Sequence, residues 1–320
     1  MKKLSNVAIL AIMLVSFSCS KQENETTTNP TSSKVTSIAA RAAISKKFLF
    51  DATKAETAGN ADWVIDADAS VQRFPTPAQS TVTATTSESY WKGGISSWGI
   101  ALVKQGHSVE TLPVGTAITY GTTAAQDLKN FDVYVVDEPN TKFTASEKTA
   151  ILNFVKNGGG LFMISDHNIS DRNGDGFDSV AVWNDLMTTN TVQTNPFGFK
   201  IDLTNYSQTT TNVLSAASTN PILNGTLGTV TNLKFSAGAS LTTTTTIAKG
   251  LIWKTGSAQS TTNVMCASST FGTGRVFVIC DSSPADDGSG APGNNLFPGW
   301  TELVSHSRLH MNASLWLAKL

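Results

Sequence analysis

Leu161-Phe162-Met163-Ile164 is an unbroken apolar run, led in by Gly158-Gly159-Gly160 and closed by Ser165-Asp166-His167. A run without polar alternation predicts a strand covered on both faces. Lys47-Phe48-Leu49-Phe50-Asp51 and the segment Phe131–Pro139 read the same way, and they end on Asp51 and on Asp137 with Glu138. Between them, Tyr90–Gln105 predicts a helix stopped by Gly106, and Ser108–Leu112 a short strand. Thr144-Ala145-Ser146-Glu147 has the form of a capping box. It opens a helix with the stripe Ile151, Phe154 and Val155, ended at Asn157-Gly158. Val180–Met187 predicts a short helix and Ser305–Leu317 a closing one. Asn263–Ser268 and Arg275–Cys280 read as strands, and residues 198–250 are Thr-rich and β-prone, with a turn at Pro221–Gly225. Strands alternating with helices predict an α/β domain: a mostly parallel sheet between helices, with the Thr-rich strands as an antiparallel extension or edge.

The first residues set the compartment. Lys2 and Lys3 precede the apolar run Val7–Val15, which is followed by Ser16-Phe17-Ser18-Cys19. This order is that of an export signal, and the run is too short to span a bilayer. It resembles a bacterial lipoprotein signal that ends at residue 18 and lipidates Cys19; an ordinary secretory signal is the plainer alternative. Ser20–Glu25 resembles the short charged tract after the lipid cysteine in surface-exported lipoproteins of the Bacteroidetes type. Residues 19–45 read as a flexible tether, and residues 46–320 as one domain. The expected location is the outer membrane or cell surface, with membrane contact only through the lipid and the periplasmic face as the other option. Charged residues make up 15% of the chain and net charge is −1, which argues against a nucleic-acid binder, since that needs a basic face. Cys266 and Cys280 flank Phe271-Gly272-Thr273-Gly274, so in an oxidising compartment a disulfide across that turn is one expectation and two free thiols the other.

Three local patterns carry a resemblance to a known family. Gly158–Ile164 looks like the glycine-led strand that enters the nucleophile elbow of class I glutamine amidotransferase-like domains. Asn220-Pro221-Ile222-Leu223-Asn224-Gly225 resembles a His-Pro-Ile-x-x-Gly turn of their ThuA-like relatives, and Gly272-Thr273-Gly274-Arg275-Val276 a late Gly-x-Gly-Arg-Val strand. The resemblance covers about residues 46–320 and implies a flavodoxin-like three-layer sandwich. The chain departs from it where the chemistry lies. Ile164-Ser165-Asp166-His167-Asn168 holds no Cys at the elbow, and no late His-x-Glu follows, so glutamine amidotransferase activity is not expected.

In a doubly wound sheet the carboxyl ends of the strands face one crevice. Asp51, Asp137, Glu138, Asp166, His167 and Asp281 all fall at such ends. Asp166, His167, Asp281, Ser282 and His306 are the candidate catalytic groups. His306 shares a helix face with His310, and the alternative for both is packing or capping. Asp51, Glu56, Asp137 and Glu138 are candidate substrate contacts; Glu56 lies in the loop that also carries Asn60 and Trp63. Asp171-x-Asn173-x-Asp175-Gly176 has the oxygen spacing of a structural Ca²⁺ loop, with Asp178 or Asp185 to complete the shell. Val182 stands where an EF-hand needs Glu, and an Asx-turn loop is the alternative. No organic cofactor is expected. Two functions follow. One is an exported hydrolase acting on a glycan or ester. The other is a non-catalytic, calcium-stabilised lipoprotein that binds a glycan or another partner.

Overall fold

The computed structural model describes residues 44–68, 70–215, 217–290 and 297–320. The signal-like segment, Cys19 and most of the tether lie outside the described residues. The strands are β1 (Lys47–Asp51), β2 (Ser108–Leu112), β3 (Val133–Asp137), β4 (Gly160–Ile164), β5 (Phe199–Ile201), β6 (Tyr206–Thr210), β7 (Asn224–Gly225), β8 (Gly228–Thr229), β9 (Leu233–Gly238), β10 (Leu241–Thr243), β11 (Lys249–Trp253), β12 (Val264–Phe271) and β13 (Gly274–Ile279). The helices are α1 (Ser96–Lys104), α2 (Ala145–Lys156), α3 (Ser179–Thr188), α4 (Gly299–Glu302) and α5 (Val304–Leu317).

Nine strands share one sheet in the order β2-β1-β3-β4-β13-β12-β10-β5, with β11 also paired to β12. The five from β2 to β13 are parallel. From β12 outward the pairing is antiparallel, so the Thr-rich segment does form the extension. The order β2-β1-β3-β4, with β13 in fifth place, is that of a flavodoxin-like sheet, an α/β sandwich. Every residue of β3 and β4 is buried, as continuous apolar strands require when helices cover both faces. On one face α1 packs on α5: the Trp98 ring meets Phe50, Phe162 and His310 edge-on, with centroids 5.3, 4.6 and 5.1 Å away. Among the described residues no helix is long and apolar enough to cross a membrane.

Local chemistry sets the element ends. The capping box at α2 is complete: Thr144 Oγ1 accepts from the Glu147 N–H at 3.3 Å, and Glu147 Oε2 from the Thr144 N–H at 2.8 Å. Helix α1 begins six residues later than the predicted Tyr90. The Gly94 N–H donates to the Asp62 carbonyl at 2.8 Å, and a Cβ on Gly93 would lie 1.8 Å from the Val64 carbonyl oxygen. Residues 90–95 are therefore spent on packing against the 62–65 loop, which no local propensity signals. The β12–β13 register pairs Cys266 with Ile279, so the next residue, Cys280, points to the other face. Both thiols are free, and burial pushes both up in pKa, which leaves them unreactive.

The sheet also sets the start of the crevice. Glu138 N–H donates to the Ile164 carbonyl at 3.1 Å, and Ser165 N–H to the Ile279 carbonyl at 2.9 Å. The chains leaving β3, β4 and β13 therefore emerge side by side, carrying Glu138, Asp166 and Asp281 together.

Candidate active site

Glu138 is the first residue beyond β3 and holds a left-handed backbone, with φ of 50°. Non-glycine residues adopt this conformation at a cost, often where a side chain must be aimed. Its carboxylate is aimed at Arg172: Nε donates to Oε1 at 2.5 Å and Nη2 to Oε2 at 3.2 Å, a bidentate pair. Ser282 Oγ donates to the same Oε2 at 2.8 Å. Arg172 Nη2 also lies 3.5 Å from Asp166 Oδ2, so one guanidinium joins the ends of β3 and β4. Asp166 is placed from below by its own N–H, which donates to Ser179 Oγ at the start of α3 at 2.8 Å. Asp281 accepts from the N–H groups of Ser283 at 2.8 Å and Ser236 at 2.5 Å.

Burial and the charge of Glu138 raise Asp166 and Asp281. Burial, then the charges of Glu138 and Asp281, holds Asp166 well above the usual carboxylate range. Burial pushes Asp281 up to about 7. Burial and then Glu138 also raise Asp137 well above the usual range, and neither of its carboxyl oxygens has a hydrogen-bond partner among the described residues. Arg172 gives its two closer bonds to Glu138, and the upward shift favours the protonated form of Asp166. His167 lies beside it, with Nε2 3.6 Å from Asp166 Oδ2. His167 Nδ1 is 2.7 Å from the Asn168 carbonyl and 3.1 Å from Asn205 Nδ2, and in the tautomer that donates to the carbonyl Nε2 turns its lone pair toward Asp166. A carboxyl whose protonated form is favoured and an imidazole nitrogen thus lie side by side.

Asp166, His167 and Ser282 line one cavity of about 140 Å³, with Asn60, Trp63 and Arg172. Arg172 escaped the sequence reading. Its signal was an Arg inside an acidic loop, a cation that needed a carboxylate from elsewhere. Asp137, Glu138 and Asp281 support this wall through the charges and bonds above and do not line it. Asp51 and Glu56 form a second buried group around Tyr134, whose hydroxyl donates to Asp51 at 2.7 Å. Burial and then Asp51 raise Glu56 well above the carboxylate range. Glu56 Oε2 accepts from the Lys54 N–H at 2.7 Å and its carbonyl from the Trp63 N–H at 2.9 Å, so this group shapes the loop that presents Trp63. His306 does not reach the crevice. Its Nε2 accepts from the Lys234 N–H at 3.0 Å and its Nδ1–H donates to the Gly299 carbonyl at 2.7 Å, which is the packing role.

The acidic loop turns its oxygens on its own main chain. Asp171 accepts from the N–H groups of Gly174 at 2.8 Å and Gly176 at 2.7 Å, Asn173 from Asp175 at 3.1 Å, and Asp175 from Phe177 at 2.9 Å. Asp178 caps α3 through the Ala181 N–H at 2.7 Å and takes the Ile169 N–H at 2.6 Å. These are Asx-turn contacts, and among the described residues no group of three or more His, Cys, Asp or Glu is placed to hold a metal ion. The loop's own amides hold its shape in this structure. Melting curves with and without chelator are expected to overlay; a fall of several degrees on chelation would restore the structural calcium at Asp171, Asn173, Asp175 and Asp178.

No family model matches this chain. No curated protein matches it either. Among solved structures it is similar to the mmIFT52 N-terminal domain, at 13% identity and a TM-score of 0.49 over 85% of this chain and 97% of that one. It is similar to the cytoplasmic protein STM3548 from Salmonella typhimurium, at 14% identity and 0.47 over 85% and 98%. It is also similar to a thua-like protein from Parabacteroides merdae, at 9% identity and 0.44 over 86% and 90%. With every one of these scores below 0.5, the fold rests on the strand order and register, and the chemistry on the site itself.

Proposed function

We propose that this chain is an exported, lipid-anchored hydrolase of a glycan or ester, working through Asp166 and His167. The observation that carries the reading is that Asp166, its carboxyl held above the usual range, and His167 Nε2 lie 3.6 Å apart on the wall of one cavity. His167 takes a proton from water as the water attacks, and Asp166 gives its proton to the leaving oxygen. Arg172 fixes Asp166 from the side, and Glu138 and Ser282 fix Arg172. No nucleophilic side chain enters this scheme. Ser165, at the elbow position, is buried and bonded to Ser179 and its own chain, and Ser282 is engaged by Glu138. The empty role of nucleophile is also what favours the second reading, a lipoprotein that binds a glycan or partner in the same cavity without turning it over.

A panel of chromogenic esters and glycosides separates the two. Turnover by the full chain that is lost in both Asp166→Ala and His167→Ala supports the hydrolase. No turnover of any substrate, with glycan binding unchanged in both variants, sinks it. Lipid attachment at Cys19 would put the enzyme on the outer membrane or cell surface; a Cys19→Ala chain released from the membrane fraction is the supporting result.

A further inference from the structure

The charges of this domain are divided between its two ends. The crevice end gathers Glu138, Asp166 and Asp281. The opposite end, where the parallel strands begin, gathers lysines. Lys46 and Lys47 open β1, Lys129 lies in the single turn Leu128–Asn130 ahead of β3, Lys156 ends α2, and Lys319 follows α5. Strand pairing holds these segments side by side. The Lys47 N–H donates to Asp132 Oδ2 at 2.9 Å and the Asp132 N–H to the Lys47 carbonyl at 2.9 Å, while Val133 pairs with Gly160. Lys46, Lys129 and Lys319 line one recess of about 230 Å³ together with Asn157, Gly158 and Gly159.

This positive charge is left open. Lys47, Lys129, Lys156 and Lys319 are exposed. Asp132 is the single side-chain carboxylate in residues 44–47, 129–133, 156–160 and 317–320, and Lys46 already pairs with it at 3.0 Å. Two large apolar side chains flank the lysines: Ile44 is 55% exposed and Leu320 49%. Lysines interleaved with exposed apolar side chains suit the headgroup layer of an anionic membrane. The chain also enters the domain here, since residues 19–45, the tether from Cys19, run directly into Lys46. The lysine end is thus the one joined to the lipid anchor, and a flexible tether leaves charge to set how the domain sits.

We propose that the lysine end rests on the anionic phospholipid headgroups of the membrane that holds the tether, with lipid phosphates among Lys47, Lys129, Lys156 and Lys319 and the crevice turned away from the bilayer. This rests on the lipid-anchored reading and is independent of what the crevice cleaves. Nucleic acid is the other polyanion such a face could meet, and an export signal removes the chain from it.

The test uses the full Cys19→Ala chain, which lacks the lipid, with vesicles of equal parts phosphatidylglycerol and phosphatidylcholine and with vesicles of phosphatidylcholine alone. At low salt the anionic vesicles should carry down at least about tenfold more protein, and high salt should abolish the difference. The combined Lys47→Glu, Lys129→Glu, Lys156→Glu and Lys319→Glu variant should bind the anionic vesicles at least about tenfold more weakly. Both chains share residues 1–43, so the difference between them belongs to this face. A second measurement needs no variant. On the unaltered, lipidated chain in the same anionic vesicles, acetylation of the four lysines should slow, while Lys92, ahead of α1 at the crevice end, reacts as it does on phosphatidylcholine. Equal binding to the two vesicle types, or equal acetylation of the four lysines on both, would overturn the docking. So would duplex DNA that displaces the anionic vesicles, which would make this a nucleic-acid face. Retention of the Cys19→Ala chain on cell membranes in high salt would instead remove the lipid anchor, whatever the vesicles show.

Discussion

Asp166→Asn is expected to lower kcat by about 10³-fold, within the 10²–10⁴ usual for loss of a general acid. Asn keeps the shape of the side chain and can still face Arg172 and His167, but it has no acidic proton to give a leaving alkoxide. The raised pKa of Asp166 makes the direction of the pH effect clear. Its protonated form is the working one, so activity falls as pH rises through that pKa. Burial holds the pKa up first, and the Glu138 and Asp281 charges add to it. In Asp166→Asn that alkaline limb should disappear. Folding should change little, because the main-chain bond from residue 166 to Ser179 Oγ is retained. A variant with nearly full activity would place the acid elsewhere.

Glu138→Ala is expected to destabilise the fold by about 3–5 kcal/mol, the usual cost of stripping one partner from a buried ion pair. Glu138 is fully buried, the Arg172 side chain is 22% exposed, and two donated bonds join them. Removal leaves the guanidinium short of an anion and frees the Ser282 hydroxyl, which now donates to Glu138. It should also move Asp166 downward, since Glu138 is the first charge that raises it, so any remaining activity would lose its alkaline limb at lower pH. Denaturant unfolding of the two chains measures the first effect and a pH–rate profile the second. A loss under about 1 kcal/mol would mean that the pair is screened as an exposed one is.

The parts of this fold legible in the sequence were those with a local cause. Unbroken apolar runs marked β1, β3 and β4; Thr144 and Glu147 marked the start of α2; Gly106 marked the end of α1. The alignment of Asp166 and Glu138 followed from strand ends, because a parallel sheet brings those ends to one edge. What could not be read had causes distant in sequence. Gly93 and Gly94 pack on the 62–65 loop, so α1 starts late. β13 takes its place beside β4 by crossing over the whole Thr-rich segment. Arg172 meets a carboxylate thirty-four residues earlier in the chain. The loop at Asp171–Asp178 has a spacing that serves either an ion or its own amides, and only the direction of its oxygens separates the two. His306 has the right helix for the crevice, but its ring is held by Gly299 and Lys234.

The central claim is that Asp166 and His167 hydrolyse a glycan or ester as a proton-exchanging pair. Its most direct measurement is the pH dependence of kcat/KM for the best-cleaved member of the chromogenic ester and glycoside panel, with the unaltered chain and with Asp166→Asn. The predicted result is turnover that declines on the alkaline side in the unaltered chain, and a variant about 10³-fold slower without that decline. Equal rates, the same alkaline limb in both chains, or no turnover by the unaltered chain would contradict it.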